Sequence, residues 1–395
     1  MNESGYVSEL VRRISTIVIE HGIDSDSQIL ELIEENVFKD MSSSSMDEIV
    51  RTIDRVFTKI RGRYGPLEKY IEDDSINEIM VNGINRIFIE KDNHIILTDE
   101  CFDSVEELES VIRKIASLVH REISELNPIL DARLEDGSRI NAIYRNIAIN
   151  GPSLTIRKFR RNRITMDELI KKKTLTAECA CFLKKAVEAG YNIFVSGGTS
   201  SGKTTFLNAL AEYIPEDERV VVIEDSAELQ LDNISNIVRL ECRNSNFMGQ
   251  GKVNMSMLIK ASLRMRPDKL IIGEVRGKEV SDMLQALNSG HSGMSTGHGN
   301  SSQGMLRRME SMYLMGVDMP VDAIRAQIIE AIDILVHLGR TKKGNRVILE
   351  INELLDIRDG GYLLNRLYYR DENFNLVESG KLKNRVKLNL QATGV

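Results

Sequence analysis

The residues with the clearest chemistry lie in one run, Gly197-Gly198-Thr199-Ser200-Ser201-Gly202-Lys203-Thr204, which fits G-x-x-x-x-G-K-[ST] without a mismatch. Each part has a reason. Glycines let the backbone curl so that its N–H groups point inward at phosphate oxygens. The lysine brings a point charge to the β- and γ-phosphates, and the following threonine hydroxyl suits Mg²⁺. A helix that starts there adds the positive end of its dipole. The setting agrees: an apolar strand, Asn192–Ser196, precedes the run, and a helix over Thr205–Tyr213, closed by Pro215, follows. The sequence thus predicts a nucleotide site in which Gly197, Gly198, Thr199, Ser200, Ser201, Gly202, Lys203, Thr204 and Thr205 hold the phosphates of ATP.

Two further strand ends carry acids. Val220–Ile223 runs into Glu224-Asp225, with Glu228 soon after, and Leu270–Gly273 runs into Glu274. In parallel α/β sheets such ends are where ligands bind. One acid there can hold Mg²⁺ and another can orient the attacking water. Glu224 or Asp225 could equally cap a helix, and Glu224, Asp225 and Glu228 all stay open as the base. His291 and His298 lie in a Gly/Ser-rich stretch, 290–299, which reads as a flexible loop able to donate to a γ-phosphate or sense its loss. No Cys or carboxylate group is spaced to make it a tetrahedral metal site. Cys179 and Cys181 stand two apart in a helical stretch and so do not face each other. His21, His94, His120 and His337 read as structural or surface residues.

These groups need a scaffold, and the pattern supplies one. The chain has 395 residues, 42% hydrophobic and 28% charged, with 52 Lys+Arg against 59 Asp+Glu and a net charge of −7. That is an ordinary globular composition, without the basic surplus that would point to nucleic acid. No apolar run approaches the length of a membrane span, the first residues lack the pattern of a secretory signal, and four scattered cysteines make no disulfide framework. A cytoplasmic protein is expected, without an integral membrane segment.

Residues 1–63 read as a helical extension, with a capping box at Ser45 and Glu48 and a solvated serine run at 42–45. Residues 64–150 read as an α+β domain: strands near 79–81, 87–90, 95–97, 129–134 and 139–144, and a helix from Ser104 to Ile123. Residues 151–164, including a strand at 153–158, read as an interdomain linker. From 165 to 395 strands alternate with helices, as in a parallel α/β domain. The last third begins with helices near 303–316 and 320–333 and turns strand-like at 346–355 and 362–369.

Taken in order, GGTSSGKTT (197–205), VVVIEDSAELQL (220–231), RMRPDKLIIGEVRG (264–277) and GHSGMSTGHG (290–299) resemble the Walker A, Asp box, Walker B and His box of the type II/type IV secretion ATPases. LDARLEDGSRINAI (130–143) and GPSLTIRKF (151–159) are similar to the upstream segments of the CpaF branch, the motors of Tad/Flp-type pili. The resemblance covers about 64–355 and implies a RecA-like P-loop core with an α+β N-terminal domain. By position it makes Glu224 the candidate general base, Glu274 the Walker B acid and a Mg²⁺ contact beside Thr204, and His298 the His-box histidine. Arg139 and Arg157 become the N-domain arginines that approach the phosphates. It also implies a homo-hexamer that hydrolyses ATP at the inner face of the membrane, beside an inner-membrane platform protein. A conjugation-type ring ATPase, a retraction motor and a nucleotide-gated regulator with little turnover are the alternative readings. Ser200 stands where the family usually has Gly, and Gly297 and Gly299 flank His298 where Ile or Val and Ala are commoner.

Overall fold

The computed structural model describes residues 3–42, 44–62, 64–91, 94–159, 164–231, 233–243, 250–341, 344–358 and 360–393. They form two compact units, Met1–Arg161 and Asn162–Val395. In the first, helices α1 (Glu3–His21), α2 (Asp26–Asp40) and α3 (Met46–Arg61) share a core that includes Leu10, Ile14, Ile33, Val37 and Val56. These residues recur three or four apart, so each helix buries one stripe. Ser45 closes the expected box: its hydroxyl accepts the Glu48 amide at 3.3 Å while Glu48 Oε2 accepts the Ser45 amide at 3.1 Å. Ser43, within the serine run, lies outside the described residues.

After α4 (Glu68–Glu72) comes an antiparallel sheet of β1 (Ile76–Asn82), β2 (Ile87–Lys91), β3 (His94–Leu97), β4 (Ile129–Arg133), β5 (Arg139–Ile143) and β6 (Ser153–Arg157), in the order β3-β2-β1-β6-β5-β4. Helix α5 (Val105–Leu118) covers it with Leu108, Val111, Ile112 and Ile115. It ends five residues before the expected Ile123, because His120 takes a φ of +53° and turns the chain. Only half of a capping box forms at Ser104. Its hydroxyl accepts the Glu107 amide at 3.1 Å, whereas the Glu107 carboxylate takes the Asp103 amide at 2.7 Å.

The expected linker over 151–164 needs correction. Its first part is β6, an inner strand between β1 and β5, with Leu154 and Ile156 fully buried. Two flanking strands satisfy its backbone, and Leu154 and Ile156 join the core formed with α5, which no free connection would allow. Residues 160–163 lie outside the described residues, and the division between the units falls after Arg161. The expected extension and α+β domain both belong to the first unit.

The second unit runs α6 (Met166–Lys171), α7 (Ala177–Glu188), β7 (Ile193–Gly197), α8 (Lys203–Ala211), β8 (Val220–Glu224), β9 (Ile237–Glu241), α9 (Met255–Ser262), β10 (Lys269–Glu274), α10 (Glu279–Asn288), β11 (Ser292–His298), α11 (Ser302–Leu314), α12 (Val321–Ala331), β12 (Ile334–Arg340), β13 (Arg346–Arg358), β14 (Gly361–Arg370), β15 (Leu376–Glu378) and α13 (Val386–Thr393). Its nine-stranded sheet has the order β15-β14-β13-β12-β7-β11-β10-β8-β9. From β12 to β9 all neighbours are parallel; β13, β14 and β15 add on antiparallel. The unbroken apolar runs follow from having two cores. Val220, Val222 and Ile271 face the helices α7 and α8, while Val221, Ile223, Leu270 and Ile272 face α9 to α12. This is the expected RecA-like core.

The stretch 290–299 is not a flexible loop. Most of it is β11, held between β7 and β10. Its small residues are a packing requirement: a Cβ on Gly297 would lie 2.9 Å from Phe194 Cζ and 3.0 Å from Met305 Cε.

The C-terminal segment is fastened by one buried carboxylate. Glu353, on β13 and 1% exposed, accepts the Asn384 amide at 2.6 Å, the Lys383 amide at 2.9 Å and Asn365 Nδ2 at 2.7 Å. Lys387 on α13 adds a 2.7 Å ion pair to Asp333.

Candidate nucleotide site

The phosphate loop leaves the carboxyl end of β7 and enters α8 at Lys203. Two residues hold its curl in the left-handed region, Ser200 at φ +57° and Gly202 at φ +91°. Glycine takes that conformation freely; for serine it costs about 1–2 kcal/mol. Lys203, 7% exposed, folds back so that Nζ donates to the Gly198 carbonyl at 3.2 Å and the Gly197 carbonyl at 3.4 Å. Burial moves its pKa below the ordinary lysine value, with Glu274 opposing.

Three strand ends meet here, because β7 neighbours β11 and β11 neighbours β10. Lys203 Nζ donates to His298 Nδ1 at 3.2 Å, His298 Nε2 lies 2.7 Å from Glu274 Oε1, and Arg276 Nη2 donates to Glu274 Oε2 at 2.9 Å. Burial, then Lys203, lowers the His298 pKa, so the imidazole is neutral at pH 7. With Nδ1 accepting from an ammonium, Nε2 carries the proton and faces Glu274 Oε1 across that 2.7 Å. Burial would raise the Glu274 pKa, but the Arg276 hydrogen bond and charge, with Lys203 beyond, outweigh it and hold the carboxyl below its usual value. The result is a connected polar chain, lysine to neutral imidazole to carboxylate to guanidinium.

Glu224 ends β8 and is 4% exposed. Its Oε1 accepts the Glu228 amide at 2.8 Å and the Leu229 amide at 2.9 Å. Burial pushes its pKa above the usual carboxylate value against those bonds, the direction that suits a base. Asp225 is exposed, and Glu228 serves Glu224 through its backbone. His291 stands before the start of β11, about 23 Å of strand from its end at His298, so the two histidines share no site.

Arg139 and Arg157 lie in the first unit, on β5 and β6, as direct cross-strand partners. The row extends on both sides: Arg133 pairs with Arg139, and Glu78 pairs with Arg157 and with Glu90. Three residues of interest escaped the sequence reading. Arg276 is signalled by standing two residues after Glu274, and Arg133 by the register of its strand. Arg346, on β13, donates through Nε to the Ser200 carbonyl at 3.1 Å; nothing in the local sequence announces it.

The residues fit nucleotide phosphates. Beside the loop's lysine and the α8 N-terminus, Ser201 Oγ is buried with no hydrogen-bond partner among the described residues, a donor that a phosphate oxygen would satisfy. Among those residues no group of three His, Cys, Asp or Glu side chains could hold a metal by itself, so any Mg²⁺ would rely on the nucleotide for ligands.

Comparison with known proteins agrees. Residues 62–346 match the family described as Type II/IV secretion system protein. The conjugal transfer protein TrbB of Rhizobium radiobacter is 33% identical over 313 residues, 78% of this chain and 90% of that protein. The type IV secretion system protein PtlH of Bordetella pertussis is 33% identical over 69% of this chain and 88% of its own length. The uncharacterized protein MJ0781 of Methanocaldococcus jannaschii is 38% identical over 74% of this chain, which spans only 43% of that protein. Among solved structures, the Legionella pneumophila ATPase DotB has a TM-score of 0.53 at 19% identity, covering 74% of this chain and 80% of its own. The pilus retraction motor PilT with bound ADP has a TM-score of 0.52 at 19% identity, covering 82% and 86%. These two likenesses concern the fold, the same α/β architecture with an N-terminal domain. With that fold, an intact phosphate loop and a match over residues 62–346, the chain belongs to the type II/IV secretion system protein family.

Proposed function

We propose that the protein is the motor of a Tad/Flp-type pilus or a related type II/IV machine, working as a homo-hexamer in the cytoplasm against an inner-membrane platform protein. The observation that carries this reading is the polar chain Lys203–His298–Glu274–Arg276. Phosphates entering the loop compete for the Lys203 ammonium, so His298 and Glu274 change partners when a γ-phosphate arrives or leaves. Such a device turns hydrolysis into movement of strand ends. No helix among the described residues is long and apolar enough to cross a membrane, which suits a motor acting on a separate membrane partner.

In this reading Gly197 to Thr205 hold the phosphates. Thr204 and Glu274 would hold Mg²⁺, which when bound neutralises charge on the β- and γ-phosphates. Glu224 takes a proton from the attacking water, its own position fixed by the Glu228 and Leu229 amides. Arg139 and Arg157 supply positive charge to the γ-phosphate during turnover. The double variant Arg139→Ala, Arg157→Ala is then expected to lose about a hundredfold in turnover or more, with nucleotide affinity changed far less. Wild-type turnover would return both arginines to the role of surface residues.

A second reading, a conjugation-type ring ATPase, is favoured by the likeness to TrbB along nine-tenths of that protein. Deleting the gene in its own cell separates the two. Loss of surface filaments under the electron microscope with unchanged mating frequency supports the pilus motor; the reverse assigns it to conjugation. Wild-type filaments and mating, together with negligible turnover of the purified protein, would leave a nucleotide-gated regulator.

A further inference from the structure

We propose that Arg346 is a positioning residue that holds the phosphate loop in its binding-competent shape. The inference deepens the nucleotide reading and rests on it. A loop that binds phosphates through backbone N–H groups must keep its carbonyls turned outward. Across a trans peptide the C=O and the next N–H point in opposite directions, so fixing one fixes the other. Arg346 Nε donates to the Ser200 carbonyl at 3.1 Å, on the outside of the loop. The Ser201 N–H is thereby turned inward, where it lies 3.4 Å from the Gly198 carbonyl. That long bond is one a phosphate oxygen can replace.

Two other observations place the arginine here for the loop. Its side-chain stem packs on the glycine that completes the curl: a Cβ on Gly202 would lie 3.0 Å from Arg346 Cδ. Its backbone is anchored, since its own carbonyl accepts the Thr174 hydroxyl at 3.0 Å and the Ile348 amide donates to the Thr174 carbonyl at 3.0 Å. The guanidinium thus acts from a fixed strand end. Ser200 needs that support more than a glycine would, because it stands at φ +57°, which its Cβ disfavours.

The consequence is a population effect. Without the bond Ser200 relaxes out of the left-handed region, and only a fraction of loops are ready to bind. Apparent affinity falls by that fraction, while the bound complex keeps its chemistry. Arg346→Met tests this, because methionine keeps an apolar stem against Gly202 and lacks the Nε–H. ADP and ATP affinities by titration calorimetry and steady-state turnover are measured on the unsubstituted protein, Ser200→Gly, Arg346→Met and the double variant. Arg346→Met is expected to bind both nucleotides about tenfold more weakly, with kcat within about twofold of the unsubstituted protein. Ser200→Gly serves as the background against which the double variant is read, and in the double variant it is expected to restore at least a third of the lost factor on a logarithmic scale, since glycine is not driven out of the left-handed region. Unchanged affinity in Arg346→Met overturns the proposal. So does a double variant as weak as Arg346→Met, which would mean loosening of β13 or direct contact with the ligand. If the unsubstituted protein binds neither nucleotide, the nucleotide reading itself falls, and this one with it.

Discussion

Lys203→Ala is expected to lower ATP turnover by about a hundred- to a thousandfold while the protein stays folded. The ammonium is one end of the polar chain and lies within 3.4 Å of two loop carbonyls and the His298 ring. It is the group best placed to take up charge on a transferring phosphoryl group. Its removal does not threaten the core. Lys203 reaches the loop with its charge partly desolvated, which is why its pKa falls, and an alanine at the first turn of α8 relieves that cost and favours the helix. Without added nucleotide the melting temperature should therefore not drop. The rise in melting temperature that ATP gives the unsubstituted protein should largely vanish, since a ligand stabilises only by what it gains from the folded form. Steady turnover by a folded Lys203→Ala protein would refute the assignment of this loop.

Glu274→Gln and Glu224→Gln are the second test, because they keep shape and remove charge. In Glu274→Gln the amide oxygen can still accept from Arg276, but no negative charge remains to hold that guanidinium near the loop or to face Mg²⁺. Binding should survive and turnover fall by about a hundredfold. Glu224→Gln keeps an oxygen for the Glu228 and Leu229 amides, so the β8 end should stay in place while the proton acceptor is lost. The same drop in turnover is expected. Asp225→Asn, with its exposed side chain, and Glu228→Gln, whose contribution to Glu224 is a backbone amide, should stay much closer to the unsubstituted rate. Nucleotide affinity and turnover measured together on all four decide the matter. Unchanged turnover in both Glu224→Gln and Glu274→Gln would reject the acidic pair, and a collapse confined to Asp225→Asn or Glu228→Gln would move the base to that residue.

What the sequence made legible was whatever its chemistry forces locally. Val220–Ile223 reads as a strand because both its faces are buried, and the loop reads as a phosphate site because few other purposes need two glycines, a lysine and a threonine at that spacing. β11 was missed since its glycines look like a loop until Phe194 and Met305 are seen filling the space beside Gly297. β6 was misplaced because a five-residue strand beside Gly151-Pro152 looks the same from within whether it hangs free or has a neighbour on each side. The acids were legible as strand-end carboxylates. Their division of labour was not, because burial and the partners Arg276, Glu228 and Leu229 decide it. Arg346 lies 146 positions from the carbonyl it holds, a separation across which a single sequence carries no signal.

The Glu353 fastening bears on where this protein can be divided. The family match stops at residue 346, the first residue of β13, which makes that point look like a natural end. A chain cut there would bare the edge of β12 along seven residues, five of them buried, as an open template for pairing with another molecule. A cut placed later, between β15 and residue 383, would keep the sheet but leave the buried Glu353 side chain with the Asn365 amide and without the Lys383 and Asn384 backbone amides, a cost of about 1–3 kcal/mol. The last fifty residues therefore keep the second unit in solution: a chain cut at residue 346 is expected to precipitate through the bared β12 edge, and one cut after β15 to keep its sheet but melt earlier because of Glu353.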